Sequence, residues 1–223
     1  MDRARYTAPR PGRPRHIPAA SQVPPREQIL DAAARLFTGQ GYAATSTREI
    51  ADKVGIRQAS LYYHFAGKPG ILAELLEMTV RPTLDSLDEL AQIETDEARL
   101  YSLAFHDARV LANLMHNIGI LPTHPDVAQT PECREYEAAR QQLRQAYGVL
   151  GISCASDHVI CSVDKSQLGA MIIQQVEGVI RDRVGGHEVT DGELHAVAAA
   201  CLRICDVPQD RIEAASDIRT DVL

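Results

Sequence analysis

The sequence predicts an all-α protein of about nine helices, with a three-helix N-terminal domain followed by a larger helical domain. Three observations predict this class. Apolar residues recur at helical spacing in the long segments, no window shows the alternation of a β-strand, and proline or glycine separates the segments. The chain has 223 residues, 45% of them hydrophobic, which is enough to bury a sizeable core.

The first 24 residues are predicted to form a disordered basic arm. They contain five arginines and five prolines and almost no large apolar side chain. The stretch Pro9–Arg15 resembles the arginine-glycine-proline core of AT-hook peptides, which enter narrow minor grooves. Arg10, Arg13 and Arg15 are therefore candidate minor-groove residues. The alternative is a solvated basic tail that is attracted to phosphates in general.

Three short helices are predicted after this arm. The first spans Pro25 to Gly39, because proline is tolerated in a first turn and glycine ends helices. The second begins at Ser46, where Glu49 completes a capping box, and Gly55 supplies a left-handed turn. The third covers about Arg57 to His64. Two short helices joined by a glycine turn are typical of a helix-turn-helix, which lays its second helix into the major groove of DNA.

The segment from Ile29 to Leu72 carries a specific pattern of apolar, glycine and polar positions. The pattern consists of Ile29, Leu30, Ala33, Leu36, Phe37, Gly41, Tyr42, Thr45, Ser46, Ile50, Ala51, Val54, Gly55, Ile56, Leu61, Tyr62, Tyr63, His64, Phe65, Lys68, Ile71 and Leu72. In order, spacing and residue type it resembles the signature of the TetR family of transcriptional regulators. The resemblance implies an all-α homodimer with a helix-turn-helix DNA-binding domain at 25–68 and an effector-binding and dimerisation domain at 69–223. It also implies a double-stranded DNA operator and a small-molecule effector as partners.

Eleven residues of this domain are candidates for contact with DNA. A helix N-terminus offers free amides to a phosphate, and the start of the third helix lies nearest the base edges. Arginine suits guanine and glutamine suits adenine. For each tyrosine, packing within the domain is the alternative. The candidates are Thr45, Ser46, Thr47, Arg48, Arg57, Gln58, Ser60, Tyr62, Tyr63, His64 and Lys68.

Residues 57–59 depart from the family pattern. They read Arg-Gln-Ala where the family usually has Ser-x-Gly. Arg57 forfeits a side-chain cap on the third helix, at a cost of about 1 kcal/mol, and adds a cation that points at DNA. The operator sequence is therefore not transferable from better-known relatives.

The rest of the chain is predicted to be helical. Pro82 is expected to kink the fourth helix, which links the DNA-binding domain to the effector domain. A Ser/Cys/Asp-rich stretch at 151–163 is expected to be a loop. The predicted helices are 69–92, 96–118, 125–129, 132–150, 164–184 and 191–205.

The effector site is predicted from polar residues on otherwise apolar helices. A polar strip on the helix 96–118 is compatible with a cavity wall and equally with a solvated edge. Asp107 interrupts an apolar line, so a buried carboxylate there needs a partner, for which Arg140 is the candidate. Few aromatic residues indicate an aliphatic or polar ligand. The candidate ligand residues are His106, Arg109, Asn113, His116, Tyr136, Arg140 and Gln174.

The last two long helices are expected to form the dimer interface, as the family resemblance implies. One seam is predicted from Leu168, Ile172, Val176 and Val179. The other is predicted from Ala196, Val197, Ala200 and Ile204.

Charge and cysteine content limit the classes of function. Residues 1–73 hold 11 Lys and Arg against 5 Asp and Glu, a net charge of +6, whereas residues 74–223 hold 12 against 25, a net of −13. A basic unit on an acidic body fits DNA binding. Cys201 and Cys205 share a helix face and are interpreted as core residues, with redox or metal-binding thiolates as the alternative.

No metal site, cofactor motif, nucleophile motif or membrane span is evident, so an enzyme is not expected. The N-terminal segment has no apolar region typical of a secretory signal, so we expect a cytoplasmic protein. The main hypothesis is a repressor that an effector releases from a palindromic operator. An activator and an architectural DNA-binding protein without an effector are the alternatives.

Overall fold

The structure, a computed structural model, describes residues 23–217, and within that range it is entirely helices and their connections. The fold class is confirmed, but the described range holds fourteen helices rather than about nine. The predicted helix 69–92 is divided into three and the predicted helix 96–118 into two, and two further helices, Asp157–Ser162 and Gln209–Asp217, lie where none was predicted. The arm residues Arg10, Arg13 and Arg15 lie outside the described range. The α-helices are α1 (Pro25–Gln40), α2 (Thr47–Val54), α3 (Gln58–His64), α4 (Lys68–Glu77), α5 (Arg81–Asp85), α6 (Leu87–Leu90), α7 (Asp96–Asn113), α8 (Pro125–Ala128), α9 (Pro131–Cys154), α10 (Asp157–Ser162), α11 (Lys165–Asp182), α12 (Asp191–Ile204) and α13 (Gln209–Asp217), with a 3₁₀ helix (Met115–Thr123) between α7 and α8.

The first three helices pack around a small apolar centre formed by Ile29, Phe37 and Leu61, each of which is fully buried. Local signals fix their ends as predicted. Ser46 and Glu49 form the reciprocal capping box of α2, and Gly55 ends α2 in the left-handed conformation at φ 80°. This three-helix unit (α1–α3) therefore presents α2 and α3 in a helix-turn-helix arrangement.

The predicted fourth helix, 69–92, is divided into α4, α5 and α6. Pro82 cannot donate an amide hydrogen bond to residue 78, and its ring opposes a continuous helix at that point. The backbone departs from helical geometry at Val80, with φ −129°, and α5 restarts at Arg81. The proline thus produces a full break rather than the expected kink.

The predicted helix 96–118 ends five residues early, at Asn113. His116 and Asn117 follow in the left-handed region, at φ 46° and 52°, within the 3₁₀ segment. The predicted loop 151–163 was also wrong, because α9 continues to Cys154 and Ser156 caps the new helix α10 through the amide of Val159.

The remaining helices, α4–α13, form the helical body around α7, which contacts α9, α11, α12 and α13. α9 and α11 cross with their backbones almost touching, since Gly148 and Gly169 face each other across the crossing. This packing turns the predicted α11 seam inward, so that prediction of a dimer seam was wrong. Leu168, Ile172, Val176 and Val179 are all buried within the single chain.

The outer face of α11 instead carries Met171 and Gln174, which are exposed. Of the predicted α12 seam, Ala196 is exposed and Val197, Ala200 and Ile204 are half-buried. These outer faces of α11 and α12 therefore remain accessible in one chain. No helix between residues 23 and 217 is long and apolar enough to cross a membrane.

Candidate nucleic-acid interface and effector region

The outer face of α2 and α3 presents most of the predicted DNA-contacting side chains to solvent. Tyr63 is 87% exposed and Tyr62 is 52% exposed, although both belong to a tightly packed three-helix unit. Large aromatic side chains are normally drawn into a core, so two adjacent exposed tyrosines mark this face as a candidate binding surface. The exposed candidates on this face are Ser46, Arg48, Arg57, Gln58, Ser60, Tyr62 and Tyr63.

Three side chains of this face are held by one another. The Gln58 amide donates a hydrogen bond of 2.9 Å to the Thr47 hydroxyl, whose oxygen lies 3.3 Å from the Tyr62 hydroxyl. The contacts join the N-terminal ends of α2 and α3. Arg57 makes no side-chain cap on α3, as predicted. This face is therefore partly pre-organised.

Thr45 and Lys68 are placed differently from the other candidates. Thr45 is buried, and its hydroxyl donates to the carbonyl of Gly41 at 2.8 Å. The Lys68 ammonium donates to the carbonyls of Tyr42 and Thr45 at 2.7 and 2.9 Å and lies 4.2 Å from the centre of the Tyr42 ring. Burial lowers the pKa of Lys68. The polar groups of Thr45 and Lys68 are therefore hydrogen-bonded within the protein.

In the helical body, Asp107 lies fully buried beside a cavity of about 20 Å³, roughly the space of one water molecule. Its carboxylate accepts hydrogen bonds from Tyr147 at 2.8 Å and Thr83 at 3.0 Å. Burial raises the pKa of Asp107 to about 7, against the opposing effect of these two donors. Arg140 was the predicted partner, but its guanidinium pairs with Glu177 at 2.6 Å instead. Desolvation favours hydroxyl donors here because they satisfy the carboxyl without burying a second charge.

The predicted ligand residues do not converge on one site. Tyr136 and Arg140 line the small cavity beside Asp107. Asn113 and His116 line a separate open cleft of about 600 Å³ at the end of α7. Gln174 is exposed on α11.

His106 and Arg109 lie one turn apart in the last two turns of α7. Burial, followed by the charge of Arg109, lowers the pKa of His106. The strip from His106 to His116 is not a single helical face, because the helix ends before His116.

Direct contacts join the three-helix unit to the helical body. The His116 ring lies 2.8 Å from the Asp31 carboxylate of α1, and the Ala43 amide donates to the Asp126 carboxylate at 2.6 Å. Arg26 also pairs with Glu74 of α4. The sequence did not predict these contacts, since each joins residues far apart in the chain. A change in the body can therefore reach α1 through the 3₁₀ segment as well as through α4.

The cysteines that share a face of α12 are core residues. Cys201 and Cys205 are fully buried, and burial raises the pKa of the Cys205 thiol to about 12. Thiols held in this way are poor nucleophiles. Within the described range, no three His, Cys, Asp or Glu side chains come together as metal ligands.

The fold and the exposed α2–α3 face define a helix-turn-helix DNA-binding protein. Residues 29–75 match the family model described as bacterial regulatory proteins, tetR family. The crystal structure of Mycobacterium smegmatis AmtR is 35% identical, with a TM-score of 0.76, over 89% of this chain and 95% of that one. The chain belongs to the TetR family of transcriptional regulators, which are DNA-binding regulators and not enzymes.

Two other comparisons cover less of the sequence or show the fold alone. The repressor KstR2 of Rhodococcus jostii is 47% identical over 51 residues. This match spans 23% of this chain and only 25% of the length of that relative. The structure of AibR with isovaleryl coenzyme A and operator DNA has a TM-score of 0.63 at 19% identity, over 79% of this chain and 97% of that one.

Proposed function

We propose that the protein is a dimeric transcriptional repressor that a small-molecule effector releases from a palindromic DNA operator. The observation that carries this proposal is the exposed face of α2 and α3. Tyr63, Arg57 and Gln58 project from it, and neither tyrosine nor arginine is needed to fill the core. Gln58 is held by Thr47 in a position from which its amide can meet a base edge.

The charge distribution supports DNA as the partner of this face. The basic N-terminal third attracts phosphates, while the acidic body limits non-specific adhesion of the rest of the chain. Arg48, whose side chain is 81% exposed, lies in the first turn of α2 and adds a cation close to the α2 N-terminus.

A homodimer would place two copies of α3 in successive major grooves, about 34 Å apart on one side of the duplex. The accessible outer faces of α11 and α12 support an interface there. Small residues such as Ala196, Ala200 and Gly178 let helices approach closely. A Cβ atom placed on Gly178 would have no other atom within 4 Å in the single chain, so there is open space beside it. We infer that a partner helix covers this surface.

Effector control is supported by the contacts between the three-helix unit and the body. An effector that favours a body conformation in which His116 leaves Asp31, or Asp126 leaves Ala43, would change the spacing of the two α3 helices. The effector must bind that conformation more tightly than the DNA-bound one, by several kcal/mol, to release most of the protein from the operator. AibR, a protein of the same fold, has been solved with operator DNA and isovaleryl coenzyme A, so this fold is compatible with both types of partner.

Footprinting on the DNA upstream of the gene tests the proposal. We expect a protected palindrome. Arg57→Ala should weaken operator binding about tenfold and reduce the slope of log binding constant against log salt concentration by roughly one. Arg134→Ala is the matched control, since it removes one exposed arginine from the body, far from the α2–α3 face in the chain. Equal loss of binding in both variants, or no specific protection at all, would contradict the proposal.

A further inference from the structure

An open cleft of about 600 Å³ lies where α7 ends and the loop between α11 and α12 begins. It is separate from the small cavity beside Asp107, because the two share no lining residue. Its wall is mostly polar, with Ala112 and Val189 as apolar exceptions. The polar residues are Asn113, His116, Asn117, Arg183, His187 and Glu188.

Arg183 is the unusual residue of this wall. Its guanidinium donates to the carbonyls of Leu111 at 2.9 Å and Leu114 at 2.6 Å, and to the side-chain oxygen of Asn117 at 3.3 Å. All three acceptors are neutral, and no carboxylate of the described residues lies within ion-pair distance. Burial lowers its pKa, as expected for a cation without an anionic partner.

The guanidinium also has donors to spare. Of the five N–H groups of an arginine, the contacts above use two on Nη1 and one on Nη2. The N–H of Nε and the second N–H of Nη2 have no partner among residues 23–217. Nitrogens Nε and Nη2 form one edge of the group, which is the fork that binds a carboxylate through two parallel hydrogen bonds.

The same guanidinium holds a strained segment in place. His116 and Asn117 occupy the left-handed region without being glycine, a conformation that is unfavourable for most residues with a side chain. Arg183 ties this segment to the end of α7, and Asn117 also donates to the carbonyl of Ile180 at 2.8 Å. His116 then contacts Asp31 of α1 at 2.8 Å. The cleft wall therefore continues directly into the three-helix unit.

We propose that this cleft binds a small aliphatic monocarboxylic acid, with Arg183 as the carboxylate-binding residue, and that binding acts on α1 through His116. The second part rests on the proposed function. The free guanidinium edge supplies the fork for the carboxylate, and Ala112 and Val189 supply apolar contacts for a short chain. Glu188 adds a negative charge to the same wall, which disfavours a second negative charge on the ligand.

A carboxylate bound at this free edge would draw the guanidinium toward the cleft and away from the carbonyl of Leu114, which accepts from the other N–H of Nη2. Loss of that hydrogen bond loosens the segment that keeps His116 and Asn117 in their strained conformation. The segment can then relax, and His116 moves away from Asp31. No covalent step is involved, and the signal passes through residues that already touch one another.

Isothermal titration calorimetry of the full chain with sodium butyrate tests the site, with sodium phosphate and sodium chloride at equal ionic strength as controls. We expect saturable binding of butyrate and not of phosphate or chloride. Arg183→Gln, which removes the fork, should weaken binding at least about tenfold. Arg181→Gln is the matched control, since Arg181 lies two residues before Arg183, is exposed and does not line the cleft.

Ala112→Phe is a second variant, because it fills the cleft without touching the hydrogen bonds of Arg183. It should also abolish binding, so a folding defect of Arg183→Gln cannot decide the test alone. Absence of saturable butyrate binding to the wild-type chain, or unchanged binding in both cleft variants, would overturn the site.

Release of the footprinted operator by butyrate tests the coupling. Asp31→Ala removes the contact with His116 from a residue outside the cleft, so it should bind butyrate normally, hold the operator more weakly and show no further response to butyrate. A chain that binds butyrate and keeps its operator overturns the coupling alone. A chain that binds no operator refutes the proposed function, while the titration still decides the carboxylate site.

Discussion

Gly169 is the position where a single added methyl group should do the most damage to the helical body. A Cβ atom there would lie 2.4 Å from the carbonyl oxygen of Arg144 and 2.9 Å from the amide nitrogen of Gly148. Ordinary contact begins at 3.4 Å, so α9 and α11 must separate by about 1 Å locally. Both obstacles are backbone atoms, which cannot rotate away. We therefore expect Gly169→Ala to cost about 3 kcal/mol, the upper part of the range for overpacking, and to lower the Tm by about 6–12 °C.

Urea unfolding followed by far-ultraviolet circular dichroism measures this loss, at one fixed protein concentration because dimerisation adds to stability. Gly39→Ala is the matched control. Gly39 lies in α1, is exposed, and has no atom within 4 Å of its Cβ position. The control should stabilise the chain by about 0.5–1 kcal/mol, since alanine favours a helix over glycine. If Gly169→Ala is as stable as the wild type, the close crossing of α9 and α11 is not a constraint and the reasoning fails.

Three further predictions concern titration, capping and the α1–α2 turn. Burial raises the pKa of Asp107 from 3.8 to about 7, so the folded chain holds a proton that the unfolded chain releases, and stability falls as pH rises between these values. Asp107→Asn should remove that slope, at most about 1.4 kcal/mol per pH unit, in urea unfolding at stepped pH. Arg57→Ser should restore a side-chain cap to α3 and raise stability by about 1 kcal/mol while weakening operator binding, seen in paired melting and mobility-shift experiments. Lys68→Met should destabilise the chain by about 1–3 kcal/mol, measured by the same unfolding assay, because the carbonyls of Tyr42 and Thr45 lose their donor.

The three-helix unit could be predicted from the sequence because its signals are local. The capping box of Ser46 and Glu49 and the left-handed Gly55 each need only residues a few positions apart. The missing cap at Arg57 could be predicted for the same reason. Their confirmation shows that short-range hydrogen bonding determines where these helices begin and end.

The ends of the body helices depend instead on contacts between distant residues. Apolar spacing continues past Asn113, so periodicity predicts a longer α7. The carbonyls of Leu111 and Leu114 are taken by Arg183, about seventy residues later, and this contact favours the end of the helix. No sequence pattern within α7 indicates that Arg183 will bind these carbonyls.

The partner of Asp107 was mispredicted for a related reason. The sequence shows that a carboxylate interrupts an apolar line and needs a donor, which is correct. It does not show that Glu177, on another helix, pairs with Arg140. Tyr147 and Thr83 then satisfy Asp107 without an opposite charge. A pairing rule that considers charge alone overlooks hydroxyl donors in a dry interior.

The route of control is the point at which the structure changes the expectation most. The sequence indicates α4 as the lever, because it follows the DNA-binding unit directly. α4, however, ends at Glu77, and the break before Arg81 separates it from α5, so the predicted continuous helix 69–92 is absent. Apart from the covalent connection through α4, the body also contacts the three-helix unit through hydrogen bonds. His116 contacts α1, and Asp126 accepts from the turn that follows α1. Both residues lie on the segment between α7 and α9. That segment is also the one that contains strained residues and borders an open cleft. A strained segment switches between two conformations more easily than a well-packed helix does. The 3₁₀ segment is therefore a better candidate than α4 for the element that moves when an effector binds.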